Sequence, residues 1–162
     1  GVVGLFTGNA CDMLGASITD GSGTEHKALG LLPFTTVESA DERYTGDAMT
    51  EQSPFGQEAV GFLNKCSEVT GITNPLFTLK MGMGNQKGDT GEGWQKNNFF
   101  GTHLIGPVLV KNPAILNHMV KLLLERETGN KTLKPVSYPF EEKAYETTHR
   151  ALTQRLQNTQ QA

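Results

Sequence analysis

Cysteine is scarce in this 162-residue chain, and Cys11 and Cys66 are too few to build a disulfide framework. Neither sits in a Cys-x-x-Cys pair, and no His-x-x-x-His occurs, so spacing suggests no structural metal and no cofactor. Long apolar runs are missing as well. Nothing approaches the roughly 18 uninterrupted residues that a membrane span needs. Basic charge is not in excess: Lys and Arg number 14 against 17 Asp and Glu, for a net charge of −3. With no basic stripe and no aromatics interleaved with it, a dedicated nucleic-acid binder is excluded. No basic segment precedes the apolar start, so no signal peptide is expected, and a cytoplasmic protein is the expectation.

What is present reads as a single α/β domain. Hydrophobic residues make up 36% and charged residues 19%, and the length allows a real core. Gly1 to Thr7 is apolar and runs into Gly8-Asn9, which reads as a buried strand ending in a tight turn. Ala10 to Ala16 follows as about two helical turns carrying Cys11, Met13 and Leu14. Strand, sharp turn and helix is the local geometry of a nucleophile elbow. Extended segments are expected at Leu29 to Val37, Arg43 to Glu51, Ala59 to Asn64 and Leu76 to Met83, with Pro33 favouring an edge or a bulge. A glycine-rich loop, Gly84 to Gly93, then leads to Phe99–Leu104. Gly82-x-Gly84-Asn85 lacks the Lys-Ser/Thr of a phosphate cradle and reads as a hairpin loop. Trp94 reads either as an aromatic folded back onto the sheet or as an anchor for a partner.

Phe99 to Lys121 is the most informative stretch. An apolar strand meets the Gly106-Pro107 break, a second short apolar run follows, and Asn112-Pro113 opens a helix with Asn as its expected N-cap. That helix, Asn112 to Glu127, should place Leu116, Met119, Val120 and Leu123 on one face, with Gly129 as terminator. Glu141 to Gln157 repeats the pattern with Ala144, Tyr145, Thr148, Leu152 and Leu156, and Gln157 to Ala162 should fray. His103, just before the Gly-Pro turn, stands where α/β domains place chemistry, at the carboxyl edge of the sheet. His26, His118 and His149 read as solvated surface residues.

Taken together, Glu92-Gly93-x-x-x-Lys96-Asn97 and Gly101-Thr102-x-Leu104-x-Gly106-Pro107-x-Leu109-x-Lys111-Asn112 resemble the C-terminal half of the class I-like glutamine amidotransferases. The closest group is the cobyric-acid-synthase-like branch, and within it the GatD-type subunits of lipid II isoglutaminyl synthase. Gly4-Leu5 with Leu14-Gly15, Gly21-x-Gly23-Thr24-Glu25, Leu29-Gly30-Leu31-Leu32, Arg43-x-Thr45-Gly46-Asp47 and Gly61-Phe62-x-Asn64 continue the match in order. The resemblance implies a three-layer, flavodoxin-like α/β fold, second half only, with C-terminal helices. It divides the chain into a glutamine-amidotransferase-like domain, residues 1–130, and a C-terminal helical extension, residues 131–162.

In that family a cysteine at the elbow attacks the glutamine amide, backbone amides hold the oxyanion, and a histidine ahead of the Gly-Pro turn moves protons. The ammonia passes to a partner synthetase, which is Mur-ligase-like for the GatD-type subunits. The matching positions here are Gly8 and Ile105, neither of which can perform those roles, and the family's usual Gln four residues past the nucleophile is Asp12. The expectation is therefore a degenerate subunit with a binding role beside a Mur-ligase-like partner, or one that self-associates through a sheet edge; a third expectation is a small-molecule binding module that uses the old glutamine pocket without turnover. The competing expectation is a relocated pair. Cys11 in the first helical turn, where the dipole favours a thiolate, would be served by His103, two residues before Ile105. Cys66 beside Lys65 is a weaker thiol candidate.

Overall fold

The computed structural model describes residues 2–129, 132 and 136–160. It is a mixed α/β fold in which eleven strands, among the described residues, form three sheets backed by C-terminal helices. The first sheet is short and decisive. Strand β1, Gly4–Thr7, runs parallel to β11, Phe99–Thr102, and β10, Trp94–Lys96, lies antiparallel on the far side of β11. Thr7 is opposite Thr102, so the two parallel strands end level with each other.

The second sheet takes β2 (Ser17–Thr19), β3 (Glu25–Lys27), β4 (Thr35–Glu38) and β7 (Ser67–Thr70) in the order β3-β2-β4-β7. The third takes β5 (Tyr44–Gln52), β6 (Val60–Lys65), β8 (Phe77–Met81) and β9 (Gly91–Glu92) in the order β6-β5-β8-β9. The strands expected near residues 43–51, 59–64 and 76–83 are thus present, each shifted or trimmed slightly. Two further strands, β9 and β10, fall in and just after the glycine-rich stretch that was expected to be loop.

The extended run expected over Leu29–Val37 is only half strand. Its first part is held differently: the N–H groups of Leu29, Gly30, Leu31 and Leu32 bond to the carbonyls of Met13, Gly15, Leu14 and Leu14. Backbone donors committed to those partners are not free to form a ladder. The expected helix at 10–16 is a 3-10 segment that starts earlier, Gly8–Leu14. The apolar run after Pro107 is a single turn of helix, α1 (Val108–Lys111).

Helix α2, Pro113–Thr128, ends where expected, with Gly129 left-handed at φ 67°. Asn112, however, is not its side-chain cap. Its amide accepts from the Val60 N–H at 2.8 Å and donates to the carbonyls of Val60 and Val108 at 2.9 and 2.8 Å. It therefore stitches α1 to β6 inside the protein. The buried face of α2 is also rotated from the expectation. Ile115 and Met119 are buried while Leu123 is 45% exposed, because the main core admits the former pair beside Phe100, Leu104 and Val108.

The last helix, α3 (Pro139–Gln160), packs Tyr145 and Leu152 against Met49 and Val60, with Leu156 half-buried alongside. Ala144 of the expected face is exposed. Residues 161–162, at the expected frayed end, lie outside the described residues. A polar knot pins α3 down. Glu58 accepts from Lys80 at 2.5 Å and pairs with His149 at 2.6 Å, while the Tyr145 hydroxyl donates to the Glu58 carbonyl. His149 is therefore half-buried and paired, and His118 is half-buried with its ring edge-on to Phe55 and Phe100. Of the three histidines expected at the surface, His26 alone is exposed, and it pairs with Asp20.

Partial burial raises the Glu58 carboxyl, but its bonds to Lys80 and His149 outweigh this and hold it below its ordinary value of 4.5. A depressed carboxylate stabilises the fold above its unfolded pKa and loses that contribution as pH falls through the folded value. Stability should therefore decline below about pH 4.5, and Glu58→Gln should flatten that decline. Urea midpoints measured from pH 3 to 7 on both proteins would check it.

Candidate functional site

The level ends of β1 and β11 build the site. Beyond Thr7 the chain turns through Gly8 at φ 61° into the 3-10 segment, and beyond Thr102 it delivers His103. Two side chains separated by 92 positions, Cys11 and His103, thereby meet, with Cys11 Sγ at 3.5 Å from His103 Nε2. The structure thus brings together the pair that the sequence singled out.

Two carboxylates complete the cluster. His103 Nε2 is 3.0 Å from Asp12 Oδ1 and 3.2 Å from Oδ2. Glu92 Oε1 lies 3.5 Å from His103 Nδ1 and accepts the His103 backbone N–H at 2.7 Å. The Thr102 hydroxyl donates to the other Glu92 oxygen at 2.7 Å. Glu92 itself is fixed because the Asn85 side chain bonds both the N–H and the carbonyl of the next residue, Gly93. Lys65, buried nearby at the end of β6, donates to the carbonyls of Gly84 and Asn85. Its burial pulls the ammonium down, while Glu92 and Asp12 push it back up.

All four groups of the cluster are inside the protein: Cys11 and Glu92 are 0% exposed, His103 2% and Asp12 3%. Burial pushes the Cys11 thiol up to about 11, against the smaller opposing pull of His103. Burial pulls the His103 imidazole down, but Asp12, Cys11 and Glu92 more than reverse this and hold it well above its ordinary value. The imidazole thus sits between the Asp12 and Glu92 carboxyl groups, with the Cys11 sulfur beside the ring.

Gly8 and Ile105 are the neighbours on the more open side. A Cβ built on Gly8 would meet only the Ile105 side chain, at 3.5 Å. Ile105 is held by a two-bond bridge to Phe62. The corner of the elbow is thus formed, left-handed and lined by a methyl group, with no nucleophile or base on it. Cys66 is not part of this cluster; it lines a cavity of about 950 Å³ between the two larger sheets, together with Tyr44 and Lys65. Trp94 is 4% exposed and folded onto the sheet between Phe6 and Phe34, so it is not a surface anchor.

Asp12, Glu92 and Lys65 are the members whose roles sequence reading missed. Glu92 carried a signal, because the Glu92-Gly93 and Gly101-Thr102 motifs bracket a tight β10–β11 hairpin whose ends must meet. Cys11, Asp12 and His103 also offer a thiol, a carboxylate and an imidazole as possible metal ligands.

The family model for the CobB/CobQ-like glutamine amidotransferase domain matches residues 10–113, more than half of the chain. This chain belongs to that family. It is 35% identical over 127 residues to the subunit GatD of lipid II isoglutaminyl synthase (glutamine-hydrolyzing) from Staphylococcus aureus (strain N315), covering 78% of this chain and 51% of that relative. It is 27% identical over 119 residues to the subunit of the same name from Streptococcus pneumoniae (strain ATCC BAA-255 / R6), covering 72% of this chain and 46% of that relative. The chain spans about half the length of the curated relatives it matches. Among the described residues, no helix is long and apolar enough to cross a membrane.

Proposed function

We propose that this chain is a glutamine-amidotransferase-like subunit with a binding or scaffolding role, acting beside a Mur-ligase-like synthetase in the amidation of a cell-wall precursor. The observation that carries the reading is the elbow itself. Gly8 and Ile105 occupy the corner where the relatives' chemistry would stand, while the nearest thiol, Cys11, is wholly buried and pushed up by that burial. In this reading residues 1–130 form the amidotransferase-like domain, and residues 131–162 are a helical extension, whose α3 docks on β5 and β6.

The competing reading, a relocated Cys11–His103 glutaminase, draws on the 3.5 Å approach of sulfur to Nε2. A chloroketone analogue of glutamine separates the two. The expected result is no covalent label on Cys11 by mass spectrometry in protein shown to be folded, and no ammonia released from glutamine. Stoichiometric label on Cys11, absent from Cys11→Ala, would establish the relocated pair instead.

Self-association through an exposed strand edge is the second binding mode proposed. Sizing at micromolar concentration should show a dimer or larger species, and a monodisperse monomer would remove this mode.

A further inference from the structure

We infer that Cys11, Asp12 and His103 form a binding site for a zinc-class divalent transition-metal ion, with Glu92 orienting the histidine. The three ligand atoms all lie within 4.8 Å of one another. Cys11 Sγ is 3.5 Å from His103 Nε2, Nε2 is 3.0 Å from Asp12 Oδ1, and Sγ is 3.8 Å from the same oxygen. A tetrahedral zinc ion, with Zn–S about 2.3 Å and Zn–N or Zn–O about 2.0–2.2 Å, holds its ligands about 3.3–3.6 Å apart. The three edges, 3.0, 3.5 and 3.8 Å, bracket the edge length of that tetrahedron. The sulfur lies over the imidazole, 3.8 Å from Nδ1 as well, so an ion on the Nε2 lone pair requires the sulfur to move toward the ring plane.

A second, independent feature points the same way. Metal-bound histidines give their other ring N–H to a carboxylate that is itself held in place. Glu92 stands in that position, 3.5 Å from Nδ1, and is fixed by the Thr102 hydroxyl and the His103 backbone N–H. The donor set of one thiolate, one imidazole and one carboxylate suits zinc and excludes magnesium or calcium, which prefer oxygen alone. Three protein ligands leave one position of the ion for a water molecule. The ion would tie the end of β1 to the end of β11 across 92 positions of sequence, a spacing no local motif reveals. This inference stands apart from the fate of glutamine hydrolysis.

Cobalt(II) titration of chelator-treated protein tests it. The expected result is 1:1 binding with a thiolate-to-cobalt absorption band in the near ultraviolet and visible bands of tetrahedral intensity, both displaced by zinc. Cys66→Ser should keep the near-ultraviolet band, and because Cys11 is then the only thiol, the band identifies the sulfur ligand even if Cys11 variants fail to fold. Glu92→Gln should weaken zinc affinity about 10–100-fold while the band persists. Absence of stoichiometric binding, a band lost in Cys66→Ser, or affinity unchanged in Glu92→Gln would each overturn the assignment.

Discussion

Glu92→Ala should destabilise the protein by about 3–5 kcal/mol, the cost of removing one partner from a buried, hydrogen-bonded charge cluster. The carboxylate accepts both the Thr102 hydroxyl and the His103 N–H and faces the His103 ring. Without it, two buried donors lose their acceptor, and the His103 ring keeps Asp12 as its one remaining carboxyl partner. Neither donor can turn to water, because Thr102 and His103 are 1% and 2% exposed. Urea unfolding should show a lower midpoint with an unchanged slope, since the loss lies in the native state. The Lys87–Glu42 pair supplies the comparison. Both partners are about 70% exposed, and Lys87→Ala should leave the urea midpoint nearly unchanged. Equal effects in the two variants would show that the Glu92 cluster is not energetically buried.

Gly101→Ala should cost about 3 kcal/mol through overpacking. Gly101 pairs with Trp94 across the β10–β11 ladder, and the indole lies directly over the glycine. A Cβ there would stand 2.1 Å from Trp94 Cε2 and 2.4 Å from Nε1, inside any contact distance. The ring has nowhere to go, because Phe6 and Phe34 pack against it with centroids 5.9 and 6.1 Å away. Trp94 is the only tryptophan in the chain, so its fluorescence reads the displacement directly and should shift to longer wavelength in the variant. Trp94→Phe in the same chain should recover part of the loss, a coupling that distant sites would not show. Strict additivity of the two substitutions would refute the close packing.

Local conformation was largely written in the sequence. The strands at Tyr44–Gln52 and Val60–Lys65 fall within a residue or two of their apolar alternation, and Gly129 ends α2 because only a residue without a Cβ takes φ 67° freely. The family frame was equally legible, since Gly4-Leu5, Gly101-Thr102 and Gly106-Pro107 keep their order. The meeting of Cys11 with His103 followed from that frame, because strands ending side by side must bring their following residues together.

What only the tertiary structure decided is where donors go and what water can reach. Leu29 to Leu32 reads as strand, yet its amides serve the 3-10 segment. Asn112 reads as a cap, yet its amide is spent on Val60 and Val108. The same holds at the site. The sequence names Cys11 as a thiol near a helix start, where a dipole would favour thiolate, but complete burial reverses the sign and pushes the thiol to about 11. Periodicity and turn chemistry act over a few residues, and so they can be read from the chain. Desolvation and charge pairing depend on groups as far apart as positions 12, 65, 92 and 103, and only folding puts them in one place.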